Sequence, residues 1–422
     1  MDTAPRPIYR DRDFPLYLGV RVISRLAVLA QSVCIGWEVY GLTHRALSLG
    51  IVGLLEFLPM FLFALPAGEL ADRFDPRRIV ALGSLCEALA SALLLAFIAT
   101  HQHVVWPLYG IVLLYGSARG FSTPANRALL PFLVPPERLP RALATSASIL
   151  QFALIAGPAL GGFAYALGPA LAYAGAMVSF LLTAAGMLLL GGRRRATDTA
   201  ILATRLARVR AGIEFVRSRP IVLGAISLDL FAVLLGGAVA LLPVYARSIL
   251  HVGPGGLGLL RSAPAGGAAL VALLLARRPV RRRAGYIMFA AVAIFGVATL
   301  VFGLSRNFTL SMVALAVTGA ADQISVYIRS ALVQFATPDA MRGRVSAVSS
   351  LFISASNELG AFESGVTAAV LGTVPAVVVG GLGTLAVVGI WMKAFPALRK
   401  VERLQEVLQE EHAAPTCTGA AR

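Results

Sequence analysis

Ionisable side chains set inside apolar runs are the residues of this 422-residue chain whose chemistry stands out. Such groups are costly in an apolar medium and ordinarily face a partner or a water-filled cavity, so they mark function by default. Glu38, Arg119, Asp229 and Asp322 fall in four separate apolar stretches, Arg329 shares that of Asp322, and Glu56, Glu87, Arg261 and the pair Asn357-Glu358 fall in others. A carboxylate in low-dielectric surroundings can take up and release a proton near neutral pH, because burial disfavours its charged form. On that chemistry Glu38 and Asp322 are the first candidates for proton exchange, with Glu56 and Asp229 behind them. Arg119 is the cation that would bias a carboxylate or hold an anionic group.

The spacing of these residues adds geometry. Tyr17, Ser24, Gln31 and Glu38 recur every seven residues and form one polar stripe on a helix, with Arg21 and Arg25 beside one end. Thr318, Asp322, Ser325 and Arg329, at steps of four, three and four, form a second. Gln31, Trp37, Tyr40, Ser325, Arg329, Asn357 and Glu358 are therefore candidates to line a substrate cavity, the two aromatic rings as stacking surface. The competing account of each charge is a satisfied structural pair, such as Asp322 with Arg329 or Glu38 with a neighbour. Glu363, near the end of its run, reads as interfacial.

The elements that must carry these stripes follow from composition. Only 14% of positions are charged and 58% are hydrophobic, with a mean hydropathy of +0.79; soluble domains carry about a quarter charged residues. With about 20 apolar residues needed per crossing, twelve spans are expected near 15–41, 48–70, 79–100, 104–126, 142–164, 170–191, 220–246, 255–276, 284–304, 308–330, 344–367 and 374–396. The fold class expected is an all-α membrane protein. The longest polar interruption divides it into a six-helix half at 1–192, a linker at 193–219, a second half at 220–396 and a tail at 397–422. Spans 1, 4, 7 and 10 occupy equivalent places if the halves are built from three-helix repeats, and all four carry charge.

The chain has 37 Lys+Arg against 21 Asp+Glu, a formal charge of +16. The basic residues crowd at 6–12, 73–78, 127–141, 193–219, 277–283, 342–344 and 399–422, whereas the opposite loops hold only Arg45, Arg247 and Arg306. That asymmetry is topological rather than a nucleic-acid surface, and it places both termini in the cytoplasm. Leu202, Leu206, Val209, Ile213 and Val216 in the linker recur at helical spacing, as an amphipathic helix on the inner leaflet would require.

Several chemistries are missing. The only lysines, Lys393 and Lys400, are followed by Ala and Val, so there is no GxxxxGK[ST] phosphate loop. There is no HExxH and no CxxC, and Cys34, Cys86 and Cys417 form no framework. Ser117 and Ser122 have no histidine or other base at comparable depth. The chain is thus read as a non-enzyme without cofactor or metal, monomeric, with protons, membrane lipids and a small molecule as partners.

Between the second and third spans the chain reads Gly68-Glu69-Leu70-Ala71-Asp72-Arg73-Phe74-Asp75-Pro76-Arg77-Arg78. This resembles the G-x-L-A-D-R-x-G-R-K signature of the major facilitator superfamily, with Asp75-Pro76 where that family has Gly-Arg. Arg119 within Arg-Gly-Phe-Ser-Thr-Pro resembles the family's fourth-span arginine motif, lacking the glutamine that commonly follows. Ala153-x-x-x-Gly157-Pro158-x-x-Gly161-Gly162 is similar to its fifth-span exporter motif, with Ala153 for the first glycine. Ile35-Gly-Trp37-Glu38-Val-Tyr40, Thr123-Pro124-Ala125, Thr337-Pro338-Asp339, Arg342-Gly343-Arg344 and Ser356-Asn357-Glu358-Leu359-Gly360 extend the likeness to the branch that holds the bacterial siderophore exporters and related effluxers.

The resemblance implies a secondary transporter of the bacterial inner membrane. It implies proton-driven antiport of a siderophore- or drug-like amphipath by alternating access, with Arg119 tied to proton coupling. It also implies a conformational role for Gly68, Asp72, Arg73, Arg77, Gly157, Pro158, Gly161, Gly162, Arg342 and Arg344, with Asp72 meeting Arg342 and Arg344 across the seam. A lipid or lysophospholipid flippase or a nutrient importer of the same fold are the alternatives, and a transport-dead sensor or scaffold is a third.

Overall fold

The computed structural model describes residues 13–101, 103–191 and 202–402, apart from the side chains of Ala64, Leu65, Ala71, Asp72, 202–209, Asp339, Ala340, Leu351 and Ser354. The chain is helical throughout, with no strand among the described residues. In order come α1 (Asp13–Thr43), α2 (Ala46–Leu62), α3 (Ala64–Arg73), α4 (Pro76–Ala99), α5 (Trp106–Leu133), α6 (Leu139–Leu167), α7 (Pro169–Leu189) and α8 (Leu202–Ser218). There follow α9 (Pro220–Leu235), the short α10 (Leu242–Val244), α11 (Pro254–Arg277), α12 (Ala284–Leu304), α13 (Phe308–Phe335), α14 (Asp339–Leu371), α15 (Thr373–Ala394) and α16 (Pro396–Arg399).

Each apolar run of the sequence falls on helix. Among the described residues, nine helical segments are long and apolar enough to cross a membrane. At 17 residues α2 is too short alone, while α5 and α14, of 28 and 33 residues, are long but polar along one side. Outward-facing leucines on α4 (Leu82, Leu85, Leu89, Leu93) and on α11 (Leu270, Leu273, Leu274) leave the apolar exterior a bilayer requires.

Two of the expected spans are broken, each for a local reason. Pro66 lacks an amide hydrogen and its ring clashes with the carbonyl four residues back, at Leu62, where α2 stops. Past α9 the chain leaves the α-helix at Gly236-Gly237, runs through a 3₁₀ turn at Ala238–Leu241 and ends in a π-helical turn at Tyr245–Ile249. Both glycines are needed for close approach. A Cβ on Gly236 would lie 2.6 Å from the Phe295 ring, and one on Gly237 would lie 2.8 Å from Ser364 Oγ. At the tight turns His44, His101 and His251 take left-handed φ angles of 49°, 47° and 51°.

Helices α1, α4, α5, α6 and α7 pack on one another, as do α9, α11, α12, α13, α14 and α15; α2 lies against α14 and α6 against α11. These last two seams are backbone on backbone. A Cβ on Gly365 would lie 2.7 Å from Gly50 Cα, and one on Gly258 would lie 3.1 Å from Gly162 Cα. Small residues at helix crossings permit this closeness, and dispersion along the seam then holds the helices. Both crossings lie toward the arginine-poor turns. The linker helix α8 is present, and its second half docks rather than floats. Val216 is buried in a core with Val345 and Val348 of α14, and Gly212 sits against the Arg344 carbonyl. The rest of the linker, 192–201, and the tail from 403 lie outside the described residues.

Candidate functional site

Two of the expected charges pair across helices. Glu56 of α2 and Arg119 of α5 form an ion pair at 2.6 Å, with the Arg119 guanidinium 5.6 Å from the Tyr115 ring centroid. Gly116, one turn before Arg119, lies against the Glu56 backbone and lets α2 and α5 close to pairing distance. Asp229 of α9 and Arg329 of α13 form a second, deeply buried pair. The structure therefore replaces a pairing of Asp322 with Arg329. Seven residues along one helix separate those groups by about 10 Å of rise, whereas Asp229 meets Arg329 from the neighbouring helix.

The rest of the α13 stripe opens onto a cavity of about 330 Å³. Thr318 and Asp322 face it from α13, Asn357 and Glu358 from α14, and Arg261 from α11. Its apolar side is Phe295, Thr299 and Phe302 of α12, and its floor is the broken stretch Gly236–Ala240. Arg261 donates to Ser32 Oγ of α1 at 3.1 Å, so α1 also touches this site. Among the described residues the carboxylates of Asp322 and Glu358 have no hydrogen-bond or ion-pair partner. Ser325 is buried one turn from Asp322. The α12 residues escape sequence reasoning because no charge and only Thr299 marks that face; the Gly236-Gly237 pair inside an apolar run was the signal available.

The α1 stripe serves other places. Gln31 accepts from Ser91 Oγ at 2.6 Å beside buried Glu87, while its Nε2 has no partner among the described residues. Tyr17 donates to the Asn126 carbonyl at 3.3 Å and accepts from Arg21 at 2.9 Å. Near the arginine-poor end Glu38 accepts a hydrogen bond from Tyr165 of α6. Tyr40 bonds Ser248 Oγ at 2.7 Å, and the Arg247 guanidinium stands 5.3 Å from the Trp37 centroid. Trp37 and Tyr40 thus engage the π-helical turn rather than the cavity. Removing one hydrogen bond is worth about 1 kcal/mol, so Tyr40→Phe should speed amide exchange across Tyr245–Ile249 about fivefold. Unchanged exchange would show that the contact does not hold this turn.

The glycine-rich stretch of α6 is a contact surface. A Cβ on Gly157 would lie 2.7 Å from Leu29 Cβ; Gly161 lies against the Ala30 backbone, and Gly162 against Gly258 of α11. On α3, Arg73 pairs with Glu69 one turn earlier. Asp72 has its backbone in α3 and its side chain outside the description, while Arg342 and Arg344 are exposed on α14.

The departure Asp75-Pro76 has its own logic. Asp75 is the N-cap of α4, accepting from the Arg77 amide at 3.0 Å, and Pro76 occupies the first helical position, where a missing N–H costs nothing. The Arg77 guanidinium grips the same carboxylate at 2.8 Å and also reaches the Leu190 carbonyl past α7. That grip holds the Asp75 carboxyl below the ordinary carboxylate range. A carboxylate with a lowered folded pKa stabilises above its unfolded value of about 3.9 and ceases to do so as pH falls through the folded value. Asp75→Ala should cost about 1 kcal/mol at neutral pH. The gap in thermal midpoint from the parent protein should close only on acidification below about pH 4.

Known proteins can be set beside this geometry. A model of the family described as transmembrane secretion effector matches residues 8–418. The chain belongs to that family. It is 25% identical over 382 residues to the enterobactin exporter EntS of Citrobacter koseri, covering 88% of each chain. It is 31% identical over 123 residues to macrolide efflux protein A of Streptococcus pyogenes, 29% of this chain and 30% of that one. It is 27% identical over 132 residues to the staphyloferrin A transporter of Staphylococcus aureus, 30% of this chain and 32% of that one. Among solved structures, an inward-facing, unoccupied bacterial homologue of the human lysosomal transporter Spinster superposes with a TM-score of 0.69 at 13% identity, covering 97% of this chain and 99% of that one. An inward-facing bacterial homologue of the iron transporter ferroportin gives 0.68 at 16% identity, covering 92% and 99%. At those identities the likeness is one of fold. The family is one of multi-pass membrane transporters of the major facilitator superfamily, not of enzymes, and these relatives are named an exporter, an efflux protein and a transporter.

Proposed function

We propose that this protein is a proton-driven antiporter of the bacterial inner membrane that exports a siderophore- or drug-like amphipath by alternating access. The observation that carries this reading is the cavity with two unpartnered carboxylates, Asp322 and Glu358, beneath an end sealed by the Gly50–Gly365 and Gly162–Gly258 crossings. Such a site can hold protons or cargo, and rocking about the two seams would expose it to one side and then the other. In this reading α2 with α3, α5 and α14 join the nine apolar segments to make twelve crossings. Their polar sides face inward to the pathway rather than outward to lipid. The two six-helix halves are 1–192 and 220–396, joined by the linker at 193–219, and the arginine-rich loops and both termini lie in the cytoplasm. The enterobactin and staphyloferrin names of the relatives favour a siderophore, and the macrolide name favours a drug.

Expression in a bacterium lacking its own exporters, followed by retention of a panel of siderophores, drugs and lysolipids, tests the assignment. Reduced retention of one class, abolished by a protonophore, is the expected result. Unaltered retention across the panel, in cells holding the folded protein, would contradict it.

A further inference from the structure

The interior charges leave a local imbalance, and its position bears on the cargo. Arg119 is neutralised by Glu56 and Arg329 by Asp229, so neither pair brings net charge to the cavity. The cavity lining itself contains three charged side chains: Asp322, Glu358 and Arg261. Arg261 is tied only to the neutral hydroxyl of Ser32 at 3.1 Å, and neither carboxylate has a partner among the described residues. With both carboxylates ionised, two of them against one guanidinium leave the lining short of one positive charge, which a proton or a ligand cation can supply. An unpaired buried carboxylate is unfavourable, and a ligand that supplies the missing cation gains what the protein leaves unmet.

The uncharged part of the lining agrees with a cation borne on an apolar body. Phe295 lines the cavity with a partly exposed ring, backed by Phe302, which is fully buried against Tyr245 with ring centroids 4.5 Å apart. An aromatic face attracts a cation and accepts apolar surface equally well. Thr318 and Asn357 supply hydroxyl and amide groups between the two regions. A volume of about 330 Å³ lies at the small end of the range for drug-sized ligands. A polycarboxylate or catecholate iron chelator, by contrast, would bring several negative charges against Asp322 and Glu358 with Arg261 as the only counter-charge.

We propose that this cavity binds an amphipathic monocation, its charged head between Asp322 and Glu358 and its apolar body against Phe295. The proposal rests on the transporter reading of the same cavity and narrows its substrate class.

Tetraphenylphosphonium and tetraphenylborate, ions of nearly the same size and shape but opposite charge, make the test. Saturable binding of each labelled ion is measured on the purified full chain in lipid nanodiscs, with excess unlabelled ion defining the unspecific part. The phosphonium should bind about tenfold tighter than the borate or better. Asp322→Asn and Glu358→Gln should each weaken it about tenfold, Asp322→Glu should restore it, and Arg261→Gln should not weaken it. Equal binding of the two ions, preference for the borate, absence of saturable binding of both, or phosphonium binding indifferent to both acid substitutions would each overturn the assignment. The exporter reading is decided separately by the retention assay: a cell that exports an anion while the protein prefers borate keeps the transporter and loses the cation.

Discussion

Replacing Arg329 by methionine should cost about 3–5 kcal/mol of folding stability, the penalty for stranding a buried carboxylate. Arg329 is 3% exposed and Asp229 is 6% exposed, so the carboxylate left behind is largely screened from solvent, although Arg329 borders a cavity of about 540 Å³. The methionine fills much of the arginine stem's volume, which confines the loss to the charge. Removing both charges together, as Asp229→Leu with Arg329→Met, should recover most of it or exceed the parent, because two apolar side chains avoid the desolvation that the pair requires. Equilibrium unfolding in mixed micelles reads both variants. A single substitution as mild as the double would mean that the pair does not hold α9 to α13.

Gly365→Val should leave the protein folded but unable to seal its arginine-poor end. The new Cβ would stand 2.7 Å from Gly50 Cα and 2.9 Å from Gly50 N, against backbone that cannot rotate away, so α2 and α14 must part. Overpacking of this kind costs about 1–3 kcal/mol, and here the cost falls on the sealed arrangement alone. At about 1.4 kcal/mol per tenfold, the sealed population drops roughly 5- to 150-fold. Transport should fall with it, while the spin-label distance between the facing ends of α2 and α14 widens. Gly19→Ala, where nothing lies within 4 Å of the added carbon, is the matched control and should transport normally. Normal transport by Gly365→Val would show that this crossing need not close.

The helices were legible because their signal is local: an apolar run long enough to cross, ended by Gly-Pro or Thr-Val-Pro. The breaks at Phe63 and at Gly236-Gly237 were less so, since a Pro or Gly within a run ends a helix only when the packing around it favours the break. That these charges would sit among packed helices was visible from their setting: Glu87, Asp229 and Arg329 are buried, and Asp322, Glu358 and Arg261 line the cavity. Which of them meet was not. Asp322 and Arg329 share a stripe, yet Arg329 is taken by Asp229, a hundred residues away in sequence, because pairing needs facing helices rather than a shared face. Trp37 and Tyr40 looked like stacking surface for a ligand, but their partners, Arg247 and Ser248, come from a π-helical turn that no periodicity predicts. Asp75-Pro76 departs from the family pattern and still caps a helix by ordinary N-terminal chemistry.

The central claim, exchange of protons for cargo at one buried acidic site, is tested most directly by proton movement in proteoliposomes holding the purified protein. With a pH-sensitive dye inside and a cargo identified from the retention panel added on one side, the account predicts substrate-dependent proton flux in the direction opposite to the cargo. That flux should be lost in Asp322→Asn while cargo binding to Asp322→Glu persists. Cargo flux that moves no protons and ignores an imposed pH gradient would contradict it.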